Sequence, residues 1–572
     1  MTIDAWGKKD GDSGAAPPAP RRALRAFPRV VSLAVALLLA ACAARPAGLP
    51  HASALASVTS APLAASPCEN RFVASALDHT TTVTTKIPGL YESNGAGLAI
   101  GDLDGDGRQD IVLANLAGPN TILWNQGDLR FRTERLGGSD AVGASRGATI
   151  VDVDGDGRND IVFSQRMEKP AWWRNTPQGF VRQPLPDVNN PFYTLTWADV
   201  DGDGALDLIA SSYDTELAKA QGLIFQQRGG GVGAFVYTRS GPHFVSHQLT
   251  KQADTLAIAL PDIDGDGRPD LWFGNDFNRP DDSFTLADGG WQRSAPSANT
   301  SENTMSLDLG DVNNDGVQEL FASDMKPVDK STATMAKWLP MMKRLTKPLT
   351  SSDPQHAENT LLFRSANGRW HDEGYERMVD STGWSWSAKF GDLDSDGWLD
   401  LYVVNGMIAQ ELFEYLPNSE LVEHNVALHN DGNGQFHAAP AWGLGSTSSG
   451  RGMSMADLDG DGDLDIVVNN LTRPAQLFEN RLCGGANLLV DLRSGQPLNR
   501  AAIGAVLTLR TSAGTFTRDV RAASGYLSGD PSQIHFGIPA GAHIERLDVR
   551  WPDGALTVSE GLSPQTSVTI AR

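Results

Sequence analysis

The sequence predicts an all-β fold, a seven-bladed β-propeller followed by a small C-terminal β-sandwich domain. Three observations lead to this prediction. A nine-residue, Asp-rich loop recurs seven times between residues 102 and 465. A short apolar, often β-branched segment follows each copy, which is typical of a buried strand. From about residue 484 the Asp-rich loops stop and short segments of alternating polarity begin.

The composition agrees with a large, turn-rich globular chain. The 572 residues include 59 glycines, and the formal net charge is −22 from 69 acidic and 47 basic residues. A nucleic-acid-binding protein would need a basic surface, so that class of function is excluded. The three cysteines, Cys42, Cys68 and Cys483, are too few for a disulfide-dense scaffold and lack the spacing of a zinc site.

The seven Asp-rich loops share one ligand pattern. They span Asp102–Asp110, Asp152–Asp160, Asp199–Asp207, Asp262–Asp270, Asp311–Glu319, Asp392–Asp400 and Asp457–Asp465, and are numbered here as loops 1 to 7. Oxygen ligands at positions 1, 3 and 5 point inward as the chain curls, and the glycine at position 6 permits the sharp turn. Position 7 offers its backbone carbonyl, and an acid at position 9 completes a hard, oxygen-only shell. The pattern therefore predicts up to seven Ca²⁺ sites.

The predicted calcium ligands are Asp102, Asp104, Asp106, Arg108, Asp110, Asp152, Asp154, Asp156, Arg158, Asp160, Asp199, Asp201, Asp203, Ala205, Asp207, Asp262, Asp264, Asp266, Arg268, Asp270, Asp311, Asn313, Asp315, Val317, Glu319, Asp392, Asp394, Asp396, Trp398, Asp400, Asp457, Asp459, Asp461, Asp463 and Asp465. Loop 5 departs most from the pattern, with Asn313 at position 3 and Glu319 at position 9, although both still offer oxygen.

Other interpretations of these loops are weaker. An EF-hand would need a glutamate at position 12, where all seven copies have an apolar residue. The loops contain no His or Cys, which makes zinc and copper poor candidates. A metal-free Gly-Asp turn remains the alternative for a single copy, but seven copies with identical offsets disfavour it. The loops hold 28 of the 69 acidic residues, and seven Ca²⁺ ions would change the formal charge from −22 to −8.

The spacing of the loops predicts the blades. First positions lie 47 to 81 residues apart, and a four-stranded blade takes roughly 40–50 residues. Each unit would consist of a strand, a metal loop, a second strand, a turn and a third strand, and seven units would close into a ring. A solenoid is the alternative, but it would need polar caps at its ends, and none is evident. The chain here resembles the FG-GAP/VCBS repeat family, whose propeller blades carry this calcium loop, and we assign residues 69–483 to the propeller.

A closed ring brings the two ends of the propeller together. Cys68 lies just before the first blade and Cys483 just after the seventh, so we expect a disulfide between them; two buried free thiols are the alternative.

The longest inserts contain two candidate helices, Thr332–Lys347 and Met407–Leu416, and Pro340 is expected to kink or end the first. Trp384, Trp386 and Trp398 are interpreted mainly as blade core, with a sugar-stacking platform as the alternative.

Residues 484–572 resemble the ASPIC/UnbV domain found after FG-GAP repeats in cartilage-acidic-protein-like chains. The resemblance rests on three segments, NRAAIGAVLTLR at 499–510, SGYLSGDPSQIHFGIP at 524–539 and IERLDVRWPDG at 544–554. It implies a small β-sandwich and does not define a biochemical role.

The N-terminus predicts export. Arginines at 21–29 precede an apolar run at 30–41, which is too short to span a membrane and is typical of a signal peptide. Leu39-Ala40-Ala41-Cys42 resembles a bacterial lipobox, so residues 1–41 are interpreted as a signal peptide with a polar extension, and Cys42 as the lipidated residue. An ordinary signal peptide cut near Ala41 or Ala44 is the alternative. Residues 42–68 are then expected to be a flexible tether.

These observations favour a non-enzymatic, calcium-binding recognition, adhesion or scaffolding module. We expect an exported lipoprotein that contacts the membrane only through its anchor and binds an unidentified protein or glycan. The alternative is a carbohydrate-active lyase or dehydratase at the propeller mouth, with His356, His424, His429 and Arg451 as candidate residues. None of these lies in a recognisable catalytic motif, and no HExxH or nucleotide-binding loop is present.

Overall fold

The computed structural model describes residues 55–138, 143–220, 222, 230–277, 279–287, 289–345, 354–432 and 434–572. The all-β propeller that the sequence predicts is confirmed. Seven four-stranded antiparallel sheets follow one another from residue 73 to residue 479, and they are called sheets 1 to 7 after the loop that each contains.

The strands of sheet 1 are Leu98–Gly101, Asp110–Leu113, Thr121–Asn125 and Phe131–Arg135; of sheet 2, Ser145–Val151, Asp160–Gln165, Ala171–Thr176 and Gly179–Pro184; of sheet 3, Thr194–Ala198, Asp207–Ser211, Ala234–Ser240 and His243–Gln248; of sheet 4, Thr255–Ala259, Leu271–Asn275, Asp282–Ala287 and Gly290–Ser294; of sheet 5, Ser306–Gly310, Glu319–Ser323, Thr360–Arg364 and Trp370–Asp372; of sheet 6, Gly383–Gly391, Asp400–Asn405, Val426–Asn430 and Phe436–Ala438; and of sheet 7, Gly450–Ala456, Asp465–Asn470, Pro474–Glu479 and Val73–Thr80.

Sheet 7 closes the ring with strands from both ends of the propeller. Its outermost strand, Val73–Thr80, comes from the N-terminal side and pairs antiparallel with Pro474–Glu479. The first strands of consecutive sheets lie side by side, and those of sheets 1 and 7 do so as well. A disulfide joins Cys68 to Cys483 next to this junction, with their Cα atoms 4.7 Å apart. The closing strand and the disulfide therefore both join the N-terminal end of the propeller to its C-terminal end.

The cores of the propeller lie between neighbouring sheets. Between sheets 7 and 1, for example, Leu98 and Ile100 pack against Val467 and Leu477, and all four are almost fully buried. Strands in this position are apolar on both faces, which is why their sequences read as continuous apolar runs rather than as alternating ones.

The C-terminal domain is a sandwich of two four-stranded sheets. One contains, in spatial order, Ser57–Pro62, Thr566–Ala571, Ala486–Arg493 and Ile534–Ile538; the other contains Thr515–Asp519, Val506–Thr511, Ile544–Arg550 and Leu556–Glu560. The expectation that residues 42–68 are only a flexible tether is wrong for 57–62. This segment pairs with Thr566–Ala571 over its whole length, because the last strand of the domain would otherwise leave an unpaired edge.

A hairpin of the C-terminal domain enters the centre of the ring. Its two short strands are Ala523–Ser524 and Ser528–Gly529, and we call residues 523–529 the plug. At its tip the fully buried Tyr526 donates a hydrogen bond from its hydroxyl to the Asn94 carbonyl (2.9 Å) and lies 2.7 Å from the Tyr193 hydroxyl. The Leu527 carbonyl comes so close to Gly97 that a Cβ there would lie 1.7 Å from it, which restricts that position to glycine.

Most of the short elements lie on the rim opposite the Asp-rich loops. The α-helices there are Asp214–Ala220, Thr332–Leu345 and Gln410–Phe413; the 3-10 helices are Glu92–Asn94 and Pro417–Ser419; and the short strands are Thr300–Ser301 with Gln355–His356, Met407–Ile408 with Glu420–Leu421, and Met325–Lys326 on sheet 6. A third 3-10 helix, Pro440–Trp442, packs at the outer side of sheet 6, where the Trp442 ring lies 5.5 Å from that of His429.

The first predicted helix is confirmed as Thr332–Leu345, and the second needs correction. Pro340 does not end the first helix, in which Trp338 and Met341 on either side of it bury their side chains against the rim. The second predicted helix is helical only from Gln410 to Phe413, since residues 407–408 pair as a strand instead. Within the described residues, none of the helices has the length and apolar character needed to cross a bilayer.

Candidate metal centres

Each Asp-rich loop connects the first strand of its sheet to the second. In loop 1, the first strand ends at Gly101 and the second begins at Asp110, so position 9 is also the first residue of a buried strand. Gly107 at position 6 has a φ of +87°, a conformation that favours glycine and that allows the chain to curl around its own carboxylates. The local sequence therefore determines both the turn and the inward direction of its acids.

Backbone amides hold the first and last acids of loop 1. Both oxygens of Asp102 accept hydrogen bonds from the loop itself, from Gly105 N–H (2.7 Å) and Gly107 N–H (3.1 Å). The buried Asp110 accepts from Leu103 N–H (3.1 Å) inside the loop and from Asn125 N–H (2.8 Å) on the third strand. Position 9 is thus an anchor between loop and sheet as well as a candidate ligand. The same pair of contacts recurs at Asp160, Asp207, Asp270, Asp400 and Asp465, and Glu319 makes the contact to its loop.

Carboxylates of the same loop converge closely enough to share a cation. In loop 1, ligand atoms of Asp102, Asp104 and Asp110 all lie within 4.8 Å of one another. Asp152, Asp154 and Asp160 in loop 2 and Asp262, Asp264 and Asp270 in loop 4 form equivalent groups, and in loop 3 the acids at positions 1, 3 and 5 converge, namely Asp199, Asp201 and Asp203. A set of hard oxygens at this spacing fits Ca²⁺, which accepts six to eight such ligands in a flexible shell.

Burial makes a metal-free loop electrostatically unfavourable. Removal from water raises the pKa of Asp110, Asp160 and Asp207 to about 7 in each case, because the charged form loses its solvation. The pKa of Glu319 rises to about 9 for the same reason. In loop 7, burial and then the neighbouring Asp465 raise the pKa of Asp463 to about 11. A divalent cation in the loop would remove this penalty by neutralising the clustered charge.

The sixth loop brings a histidine to its acids, which the loop sequence alone does not reveal. His429 extends from the third strand of sheet 6, and its Nε2 lies 3.2 Å from Asp394 Oδ2. Hydrogen bonds to Asp394 and then Asp396 raise the pKa of His429 to about 10. This side chain therefore provides a positive charge next to loop 6.

Arginine side chains have an unanticipated role at position 7. Arg108, Arg158 and Arg268 were predicted to contribute only their backbone carbonyls, as calcium ligands. In the structure each guanidinium also pairs with the aspartate at position 5 of its own loop. These pairs lie at the surface, where such interactions contribute little to stability.

A repeated asparagine links neighbouring sheets, and sequence reasoning missed it. Asn125 donates from Nδ2 to the Leu458 carbonyl in the loop of the adjacent sheet 7 (2.8 Å). The equivalent contacts are from Asn175 to Leu103, from Asn430 to Val312 and from Asn480 to Leu393, at 2.7 to 2.8 Å. The repeat of this asparagine is visible in the sequence, because an asparagine lies 15 residues after position 9 of loops 1, 2 and 7. Each of these asparagines couples the third strand of its own sheet to the position-2 carbonyl of another sheet's loop.

The remaining sequence candidates lie apart from the loops and have partners of their own. His424 Nδ1 lies 2.8 Å from the Gly445 carbonyl, and His356 Nδ1 lies 3.9 Å from Glu358. Arg451 is fully buried in the ring and donates to the carbonyls of Ser93 and Gly450. Trp384 and Trp386 are buried, as expected for blade core, but Trp398 at position 7 of loop 6 is only half-buried and is not part of the core. Cys42 lies outside the described residues.

Two protein families match this chain. The "FG-GAP-like repeat" family matches residues 102–163, 152–210, 262–322 and 419–468, and the "ASPIC and UnbV" family matches residues 495–572. The chain is an FG-GAP repeat protein with a C-terminal ASPIC/UnbV domain. Both resemblances drawn from the sequence are thereby confirmed, and the FG-GAP matches include loops 1, 2, 3, 4, 5 and 7.

Solved structures resemble this FG-GAP repeat protein only distantly. The BP39L lectin from Burkholderia pseudomallei is 11% identical, with a TM-score of 0.41 over 67% of this chain and 94% of the lectin. Sqt1 from Saccharomyces cerevisiae is 11% identical, with a TM-score of 0.35 over 65% of this chain and 81% of Sqt1. BBS1N, solved in complex with ARL6DN, is 10% identical, with a TM-score of 0.34 over 71% of this chain and 97% of BBS1N. No curated protein matches the sequence.

Proposed function

We propose that this FG-GAP repeat protein is a calcium-stabilised, non-enzymatic recognition module that is exported and anchored at a membrane through Cys42. The observation that carries the proposal is the set of convergent carboxylates in the loops, each built into a junction between two strands. Ca²⁺ at these positions would stabilise the sheets and leave the opposite rim free for a partner.

The loops are better suited to a structural ion than to a catalytic one. Position 9 is buried and accepts backbone hydrogen bonds from both its loop and the third strand, so a bound ion would be part of the sheet framework. In loops 6 and 7 the C-terminal domain covers the acids, which restricts access by a substrate. With Ca²⁺ at ten times its dissociation constant, each site would add about 1.4 kcal/mol to the free energy of unfolding.

Calorimetric titration of chelator-treated protein with CaCl₂ tests the calcium part of the proposal. We expect several binding events, up to seven per chain, and no comparable heat with MgCl₂, because Mg²⁺ requires stricter octahedral geometry. A protein that binds no Ca²⁺ would contradict it. Mass spectrometry of the mature N-terminus tests the anchor, and we expect a lipid-modified Cys42 that is lost in the Cys42→Ser variant.

The non-enzymatic part is tested against the carbohydrate-active alternative. Calcium-loaded protein would be incubated with pectate and alginate while the absorbance at 235 nm is recorded. We expect no rise in absorbance, and formation of unsaturated products would overturn the assignment in favour of a lyase.

A further inference from the structure

A pocket with aromatic walls lies in the ring next to the tip of the plug. It opens at the rim opposite the Asp-rich loops and has a volume of about 80 Å³, which is room for several water molecules or a small ligand. Trp386 lies at its base, where its ring packs 5.2 Å from that of Tyr526 at the tip of the plug. The C-terminal domain therefore closes the end of the ring that lies at the Asp-rich loops, and this pocket lies at the opposite end.

Aromatic rings and thioethers form most of the wall. Trp338 of the rim helix lies 5.7 Å from Trp384, and Tyr213 stacks on Phe277 at 5.8 Å. The methionines of the wall are Met305, Met325, Met341, Met342 and Met407. An aromatic wall of this kind attracts cations through the negative faces of its rings.

The ionisable side chains that line the pocket are acidic or phenolic. Asp276 and Glu302 are both buried in its wall, and none of the described lining residues is Lys, Arg or His. Asp276 accepts hydrogen bonds only from neutral donors, the Tyr213 hydroxyl (2.6 Å) and the Phe277 N–H (2.7 Å). Burial raises the pKa of Asp276 to about 6, so its carboxylate is largely charged at neutral pH and lacks a cationic partner among the described residues.

The basic groups nearest the pocket have other partners. Arg146 forms a buried ion pair with Glu216 at 2.7 Å. Arg451 lies 4.2 Å over the ring of Trp386 and Lys219 lies 5.3 Å over that of Tyr91, so these two rings already hold a cation. No such contact with a cation is found in the described part of the chain for Trp338, Trp384 and Tyr213, so these three rings remain available to a cationic ligand.

Two polar groups in the wall have no hydrogen-bond partner among the described residues. They are the indole N–H of Trp384, whose side chain is buried, and the hydroxyl of Tyr91, which is buried as well. An indole nitrogen can only donate, so a ligand that satisfies it must bring an acceptor atom. Leaving such a group unpaired in a dry site costs about 1–3 kcal/mol, which a suitable ligand would recover.

We propose that this pocket binds a small organic cation, an alkylammonium group that also carries a hydrogen-bond-accepting oxygen. The ammonium group lies against the aromatic wall near Asp276, and the oxygen accepts from the Trp384 indole. The inference deepens the proposed recognition function and rests on it, since it supplies the site and the chemical class of the ligand.

Choline is the probe, because it combines a trimethylammonium group with a hydroxyl. Calcium-loaded full-length protein would be titrated by calorimetry with choline, with tetramethylammonium, which lacks the oxygen, and with 3,3-dimethylbutan-1-ol, its uncharged isostere. We expect saturable choline binding, at least about tenfold weaker binding of the alcohol and about three- to tenfold weaker binding of tetramethylammonium. Equal affinities for choline and the alcohol, or no choline binding at all, would overturn the proposal.

Conservative variants locate the site. Asp276→Asn removes one charge and is expected to weaken choline binding about tenfold, and Trp384→Phe keeps a ring but removes the donor, for an expected loss of about threefold. Asp187→Asn, the same chemical change at the exposed partner of His243, is the matched control and should bind as the wild type does. Choline binding that is unchanged in both pocket variants would place the site elsewhere and overturn the assignment.

Failure of this inference can be told apart from failure of the proposed function. A protein that binds Ca²⁺ but not choline would retain the calcium-stabilised module and lose only the ligand class. A protein that binds no Ca²⁺ would contradict the module, whatever its response to choline.

Discussion

Loops 4 and 6 share one motif but lie in different environments. In loop 4 the residues at positions 3 to 7 are exposed, whereas in loop 6 the C-terminal domain covers the acids and leaves Asp392 at position 1 only 1% exposed. Gly537 of that domain donates its N–H directly to Asp392 Oδ2 (3.0 Å). Loop 7 resembles loop 6, since Gln565 of the same domain donates to the Asp461 carbonyl at 2.6 Å.

The difference in cover changes the pKa of the acid at position 9. Burial raises the pKa of Asp400 in loop 6 well above its ordinary value, whereas that of Asp270, at the same position in loop 4, reaches only about 6. A covered loop would therefore gain more from a bound cation than an exposed one would. A cation in loops 6 and 7 and the C-terminal domain that covers these loops would then stabilise each other.

The largest loss of stability is expected when the plug of the C-terminal domain loses the Tyr526 side chain at its tip. Tyr526→Ala removes a fully buried aromatic side chain and its two hydroxyl contacts, and should lower the free energy of unfolding by about 4 kcal/mol. Denaturant unfolding measures the change. Tyr526→Phe is the control, which keeps the ring and should lose only about 1 kcal/mol; equal losses in the two variants would mean that packing of the plug does not hold the domain.

Removing the disulfide is expected to have the next largest effect. The Cys68→Ser/Cys483→Ser double variant should lose about 3 kcal/mol, because the cross-link closes a long loop next to the ring closure. Hydrogen exchange should show that sheet 7 and loop 7 become less protected than sheet 4 and loop 4. Uniform loss of protection would contradict a local role for this bridge.

A matched pair of loop variants tests the comparison itself. In millimolar Ca²⁺, Asp392→Asn in loop 6 should cost about 2 kcal/mol more than Asp262→Asn, the same change at position 1 of loop 4. In chelator, Asp392→Asn should cost less than it does in Ca²⁺, since without the ion the buried Asp392 carboxylate is balanced mainly by Arg518, 4.0 Å away. Equal costs at both loops in Ca²⁺ would show that cover by the C-terminal domain does not matter.

The smallest expected effect is a pH dependence in the covering domain. Burial lowers the pKa of His535 to about 3, and this residue lies on the strand that leads to Gly537. In the unfolded chain its pKa would be near 6.5, so the unfolded state takes up the proton first as the pH falls. The stabilisation is present above pH 6.5 and is lost toward pH 3, by about 1.4 kcal/mol between pH 7.5 and 5.5.

His535→Asn should flatten this part of the pH profile in denaturant unfolding. His247→Asn, at an exposed position on the last strand of sheet 3, should leave the profile unchanged. A profile that is identical in the wild type and in His535→Asn would contradict the assignment.

Much of the fold could be predicted from the sequence because the loop motif is local. The offsets that point Asp102, Asp104 and Asp106 inward lie within nine residues, and each copy marks the start of a buried strand. Long-range contacts could not be predicted in this way. The pairing of Ser57–Pro62 with the last strand joins segments more than 500 residues apart, and the entry of Tyr526 into the ring depends on the docking of a whole domain.

The pocket was missed for a similar reason. Its wall combines residues from separate sheets and from the helix at 332–345, with no shared spacing in the sequence. Trp384 and Trp386 were recognised as candidates, but Tyr213 and Phe277 of the same wall follow strands of sheets 3 and 4. By contrast, the repeated asparagine at Asn125 and its equivalents carries a constant offset and could have been found from the sequence.

The most direct test of the central claim is the melting temperature of the mature protein in millimolar Ca²⁺ and in excess chelator, measured with the bound metal content. The account predicts several bound Ca²⁺ ions per chain and a melting temperature that falls by many degrees in chelator, because several sites would each contribute about 1 kcal/mol. A protein that carries no Ca²⁺ and melts at the same temperature in both conditions would contradict the account.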